Sequence, residues 1–313
     1  MEQAIMKRSE VLQKLEERLA RGEISEKTYL EIKARYETEP EERSVTEEPA
    51  PFGPGLESSI QQAVARAQQE ASRAAQEAMR VAGDAMRSID FAGFGAKVSG
   101  ESIRITGSGM VSGNPVKTIE FRAAGSAHVR GNLECESARV SGACDFDGDV
   151  RCVEFRSAGS SRIAGSLFAQ DVDVSGSAEI AKSIEAVDVS ASGSFDVAGD
   201  VKCQDFHSSG SVRIDGALKA VDVNIELGGA SRVKSIEAQD ISVRATGGFL
   251  RSRGDLTADS IKGQDIDLEG TTAGYVEGQD VRIGPHCRVD LVVAQELVVH
   301  ESSEVKERRV QTG

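Results

Sequence analysis

Tryptophan is absent from this 313-residue chain, and aromatic residues make up only 4% of it. Base or sugar stacking on aromatic platforms has little to work with. Basic charge is also short: 37 Lys and Arg stand against 51 Asp and Glu, a net charge of −14. Phosphate backbones are held by basic surfaces, so nucleic acid is excluded as a partner. No apolar run is long enough for a transmembrane helix. The N-terminal stretch MEQAIMKRSEVLQKLEERL lacks the apolar segment of a secretory signal, which predicts a cytoplasmic protein. The five Cys show no zinc-like spacing, and no Ser-His-Asp pattern or phosphate loop is visible. The chain is therefore expected to be no enzyme and to need no cofactor or metal.

What the chain has in quantity is repetition. Six copies of a 17-residue unit run without a gap from Gly125 to Glu226, beginning at Gly125, Gly142, Gly159, Gly176, Gly193 and Gly210. Stacked units of this kind bury an apolar face only against their neighbours. The fifth position holds Val129, Phe146, Ile163, Ile180, Val197 and Ile214, and the ninth holds Leu133, Val150, Leu167, Ile184, Val201 and Leu218. The fourteenth holds Ala138, Phe155, Val172, Val189, Phe206 and Val223. Mostly polar residues flank these columns, and alternation with β-branched residues is a strand signal. Glycine at the first and usually the seventh position marks corners where a side chain or a negative φ would obstruct the bend.

Seventeen residues hold three very short strands wrapped once round an axis. The predicted fold is mainly β: a single-stranded, right-handed parallel β-helix with one repeat per turn and three apolar columns inside. Looser copies extend the array from Gly107 to His300, roughly eleven turns and ~50 Å at the strand spacing. The β-helix is placed at 95–300, with Phe91 and Phe94 leading into it and a frayed polar tail at 301–313.

Before the array, residues 8–37 read as two short helices, with Val11, Leu12, Leu15 and Leu19 on one apolar face and Tyr29, Ile32 and Tyr36 on the other. Residues 38–56 hold most of the prolines and many acids, the composition of a disordered linker. Residues 57–89 carry four heptads, IQQAVAR, AQQEASR, AAQEAMR and VAGDAMR. Ile60, Val64, Ala67, Ala71, Ala74, Ala78, Val81 and Ala85 alternate by four and three, the seam of an amphipathic helix. Glu70, Glu77 and Asp84 precede Arg73, Arg80 and Arg87 by three residues, at ion-pair spacing. The alanine-rich seam suits close packing on the chain's own β-helix, on a second chain, or on a membrane surface. Membrane association is not indicated, because each Arg has an acid beside it.

Three groups of residues could carry chemistry. Acids fill the thirteenth position: Glu154, Asp171, Asp188, Asp205 and Asp222, with Asp240, Asp265 and Asp280 in the analogous place. They read either as a cation-binding ladder or, preferably, as corner residues whose side chains satisfy backbone N–H groups. Cys135, Cys152 and Cys203 alternate with Ala at the eleventh position, which marks small inward filler. His286 is the one histidine in a context suggesting acid–base work, because IGPHCRV resembles a hexapeptide unit of the left-handed β-helix acyltransferases. A residue of the terminal turns is the competing reading.

The units GSxxIxGxLxAxDVxVSG and the ending VRIGPHCRVDLVVAQELVVHESSEV resemble the bactofilins, polymer-forming cytoskeletal proteins. That resemblance implies a right-handed β-helix that polymerises end to end without nucleotide. The string LQKLEERLARGEISEKTYLEIKARYE resembles the SHOCT family of helical hairpins, with Leu12, Leu15, Leu19, Gly22, Ile24, Ser25, Tyr29 and Lys33 matching; it implies oligomerisation or docking of protein partners. The chain is thus expected to be a self-assembling scaffold, a homo-oligomer or polymer. Leu291, Val292, Val293, Leu297, Val298 and Val299, the most apolar run, are expected either to make the end contact or to close the core of the last turns. A monomeric adaptor that recruits partners through its N-terminal helices is the alternative, and a β-helix acyltransferase a weaker one.

Overall fold

The computed structural model describes residues 55–81, 90–99, 101–245 and 254–310, all within one compact unit spanning residues 51–313. The helical hairpin expected over 8–37 and the linker up to residue 54 lie outside the described residues. Among the described residues one helix, α1 (Gly55–Val81), precedes thirty strands, numbered β1–β30 in chain order. The strands form a parallel β-solenoid of about twelve turns with about 17 residues per turn.

Each strict repeat contributes three strands, so three ladders run along the solenoid. Face A carries repeat positions two to five, as in Ser177–Ile180 stacked on Ser194–Val197. Face B carries positions nine and ten, as in Ile184–Glu185 on Val201–Lys202. Face C carries positions thirteen to sixteen, as in Asp188–Ala191 on Asp205–Ser208. Equivalent positions pair in register, so every column of the sequence repeat becomes a straight line of side chains at strand spacing.

The core holds more columns than the β-branched positions alone predict. Positions five, nine and fourteen are buried, from Val129 through Ile180 to Ile214 and their counterparts. Position eleven is buried as well, with Cys135, Cys152 and Cys203 among alanines. So is position three, from Ala127 and Cys144 to Phe195 and Val212, and position sixteen, from Val140 to Ser157 and Ile225. The solenoid therefore has six inward columns, not three. Each four-residue strand points two side chains inward, and the small residues at positions three and sixteen fill the corners. Phenylalanines bridge columns inside, with Phe121 and Phe146 5.7 Å apart and Phe146 and Phe155 6.3 Å apart.

The repeat glycines act by close approach and not by an unusual dihedral. A Cβ on Gly176 would run into the carbonyl oxygen of Gly159 one turn below, and the same holds up the column from Gly142 to Gly210. Positive φ occurs only at Gly131 and Gly270 among the described glycines. Stacked turns at these corners leave no room for a methyl group.

The two ends differ. At the N-terminal end β1 (Asp90–Ser99) lies antiparallel to β2 (Ser102–Ser112), pairing from Asp90–Ser112 to Ser99–Ser102. At the other end β28 (Arg288–Ala294), β29 (Glu296–Val299) and β30 (Glu304–Val310) make the last turns. The stretch expected to fray from residue 301 thus contains a strand that stacks on β28, Arg288 on Glu304 through Ala294 on Val310. Val305 continues the inward line of Val289, which gives β30 a reason to stay docked.

Candidate assembly surfaces

Helix α1 lies over face B, across the strands from Val116–Lys117 to Val201–Lys202. Ile60, Ala67 and Ala71 of the expected seam are buried and Val64 is half-buried, and Ala63 joins them. The side chains of Ala74, Ala78 and Val81 lie outside the described residues, as does Ala85 altogether. Ala63 belongs because a helix on a sheet buries a wider stripe than a two-helix seam. Small residues let the helix sit close to the strands.

The outward residues of face B meet it. Phe168, at repeat position ten, points outward yet is buried. On either side of it along the column stand Arg151 and Glu185. The Arg151 guanidinium lies 4.8 Å from the Phe168 ring centroid and donates from Nε to Glu70 Oε2 at 2.8 Å. Arg66 reaches Glu185 at 3.7 Å and also pairs with Glu70 at 3.3 Å. Glu70 therefore turns to Arg66 and the solenoid, not to Arg73 three residues on. Because Arg66 meets a later turn than Glu70 does, the helix runs opposite to the direction in which the solenoid grows.

On face C the position-thirteen residues form a line of carboxylates from Glu154 to Glu296, in register turn after turn. At its start arginines balance it: Arg139 bonds Glu120 at 3.3 Å and Glu154 at 2.7 Å, and Arg156 bonds Glu154 at 2.7 Å. From Asp171 to Asp265 the outward neighbour two residues on is Asp, Ser, His or Asn, and the acids face one another. Asp205 is pushed up to about 6, first by desolvation and then by Asp188 and Asp222. Asp171 and Asp240 are raised for the same reasons.

The backbone-satisfying role expected of these acids falls to position eight. Asn132 Oδ1 accepts from Asp149 N, Asp149 Oδ1 from Ser166 N, and Asp200 Oδ1 from Ala217 N, each at 2.8–2.9 Å. Among the described residues no group of three or more His, Cys, Asp or Glu converges as a metal ion would require.

Cys135 and Cys152 lie on successive turns, both fully buried, and the hydrogen bond between the two thiols, with burial adding to it, pushes the Cys135 thiol well up. His286 is exposed on a turn with φ of 60°, and its backbone N–H donates to Ser302 Oγ at 3.3 Å. The next residue, Cys287, is buried, with its thiol on Leu268 O at 3.2 Å.

The apolar C-terminal run divides. Val292 is buried, Leu291 and Val293 are half-buried on β28, and β30 stacks above all three. Leu297 and Val299 are half-buried against the end of the core, and Val298 faces outward, 62% exposed. Val298 and Val310, the latter 55% exposed, are the exposed large hydrophobics of the described residues. One inward column ends unexpectedly: Arg308 stacks on buried Val292, so the line that runs Leu133 to Val292 closes with a guanidinium.

No protein-family model matches the chain, and no curated protein and no solved structure matches it. What the geometry defines is a parallel β-solenoid with a helix laid along one face.

Proposed function

We propose that this chain is a non-enzymatic, bactofilin-like scaffold whose right-handed solenoid self-associates end to end. The observation that carries this reading is at the C-terminal end. There β29 and β30 each have a strand neighbour on one side only, and both exposed large hydrophobics, Val298 and Val310, lie on these two strands. Open strand edges beside apolar surface favour association with another edge. The sides of the rod disfavour it, since the six strict repeats carry nine basic and seventeen acidic residues, a net −8. The right-handed sense follows the preference of parallel β crossovers. The SHOCT-like stretch at 8–37 would recruit protein partners in the cytoplasm. No described helix is long and apolar enough to cross a membrane.

The adaptor reading draws on a different observation, the antiparallel β1 that covers β2 at the other end. Sedimentation of the purified full chain across a wide concentration range separates the two. Association that weakens in Val298→Lys/Val310→Lys supports end contact; a monomer at every concentration leaves the adaptor.

A further inference from the structure

We infer that β30 pairs antiparallel with β30 of a second copy, closing a twofold dimer through the C-terminal ends and not an open filament. The inference rests on the end-to-end reading and decides which ends meet and where growth stops.

The first argument is the charge order along β30, Glu304-Val305-Lys306-Glu307-Arg308-Arg309-Val310. Against its own antiparallel copy, with the twofold between Lys306 and Glu307, Glu304 faces Arg309 and Lys306 faces Glu307 across the junction. Opposite charges directly across a strand pair stabilise it, and like charges destabilise it. A slip of one residue in one direction sets Glu307 against Glu307 and Lys306 against Arg308. A slip in the other sets Lys306 against Lys306 and leaves Glu304 opposite Arg308 as the one kind of opposite-charge pair. Five charges in seven residues would ordinarily blunt an edge. In this order they favour one register of self-pairing over its neighbours.

The second argument is shape. The ladder between β28 and β30 pairs Val289 with Val305 and Leu291 with Glu307, and skips Asp290 and Lys306. Inward Val289 and Val292 stand three residues apart, so Asp290 and Leu291, and above them Lys306 and Glu307, make the corner where the strand passes from face A to face B. A bent strand matches an antiparallel copy along both arms only when the bend lies at the symmetry axis. The charge order and the bend therefore select the same register independently.

The existing partners of these side chains do not oppose the contact. Lys306 meets Asp290 at 2.7 Å, Arg309 meets Glu307 at 2.7 Å and Glu304 meets Arg288 at 3.6 Å, all between largely exposed groups. Exposed pairs of this kind are worth little and re-pair readily. At the N-terminal end β1 is likewise paired on one side only, with β2, but its sequence lacks this charge order. That strand, DFAGFGAKVS, has one acid and one base, so it cannot answer the charges of β30 in a head-to-tail stack. Two C-terminal ends that close on each other leave no further β30 edge for a third copy.

The test uses the full chain in sedimentation velocity experiments. Wild type is expected to be a monomer–dimer system with no larger species. Glu304→Arg and Arg309→Glu should each move the midpoint to about tenfold higher concentration or more, because each sets like charges across the strand pair. The double variant should restore the wild-type midpoint. As a check on register, Glu304→Cys/Arg309→Cys should form an interchain disulfide dimer on oxidation. Within one extended strand those positions are far too distant to bridge, and the native cysteines are buried. A dimer indifferent to the charge swap, or assemblies that keep growing with concentration, would overturn the closed pair and leave end-to-end association standing. A wild-type monomer at every concentration would overturn both.

Discussion

Glu70 on the helix and Arg151 on the solenoid, 81 residues apart in sequence, meet at 2.8 Å beside the ring of Phe168. Both partners are largely covered, with side-chain exposures of 18% and 26%, so solvent screens this pair less than the surface ladders around it. The contact fixes where along face B the helix sits. Ala67 and Ala71 give it close approach but little apolar area. Docking thus depends on Phe168 and on the two ion pairs that flank it.

That dependence is testable by hydrogen exchange across residues 55–81. Arg151→Glu should expose the helix amides to faster exchange, because a new carboxylate would stand against Glu70. Glu70→Arg combined with Arg151→Glu should restore protection. Phe168→Ala should weaken docking by roughly 3 kcal/mol, the scale of a buried ring lost. Unchanged protection in Arg151→Glu would show that the helix is held by something else.

The inward columns should be intolerant of charge. Ile180 and Val197 are each 1% exposed and sit in the middle of the array. Ile180→Asp or Val197→Asp would leave a buried carboxylate without a cation, at a cost of several kcal/mol. Glu179→Ala, one residue from Ile180 but pointing outward, should change stability by only about 0.5 kcal/mol. Thermal melts of the three variants provide the comparison, and equal melting temperatures would show that the inward register is wrong.

Two glycines separate close approach from conformational freedom. Gly176→Ala should destabilise the solenoid, since its methyl group would meet the Gly159 carbonyl. Gly229→Ala should be nearly silent, because the nearest atom to an added Cβ is Ser211 Cβ at 3.6 Å. Neither glycine has a positive φ, so space alone distinguishes them. A large loss in Gly229→Ala would contradict this account, and chemical denaturation measures both.

The solenoid was legible because Ile180, Val197 and their counterparts recur at a fixed period with polar neighbours. Ser157, Ser208 and Ala127 are equally buried but do not read as core, because small and hydroxylated residues suit a tight corner and a surface alike. Phe168 misleads in the opposite way: it points outward and looks like a stray aromatic until the helix is laid over it. Its pairing with Arg66 and Arg151 joins segments far apart in sequence, which no local pattern encodes. The heptads showed a seam, but Glu70 has cations within reach on its own helix and on the solenoid, and spacing alone favours the wrong one. At the C-terminal end, Arg308 falls at a column position where every earlier turn has an apolar residue. Its charge made the stretch read as tail when it is the final strand.

The acid line on face C makes stability depend on pH in a particular sense. Asp205 stands between Asp188 and Asp222, and desolvation with these two neighbours raises it from the usual carboxylate range to about 6. A carboxyl whose folded pKa lies above its unfolded value binds more protons in the folded state over that interval. Its contribution to stability is therefore greatest at low pH and is lost as pH rises from about 4 to about 6. Asp205→Asn removes the charge at the centre of the line while keeping the side chain's size. At pH 7 the variant should melt above wild type, and the difference should shrink toward zero near pH 4. Acids held down by cations respond in the opposite direction: Glu277, lowered first by its bond to Lys262, loses its contribution as pH falls. Comparing wild type with Asp205→Asn at each pH cancels such shared effects and isolates the line. If the variant melts below wild type at pH 7, a cation or a basic partner must be compensating the carboxylates. Repeating the melts after exhaustive chelation would then distinguish the two.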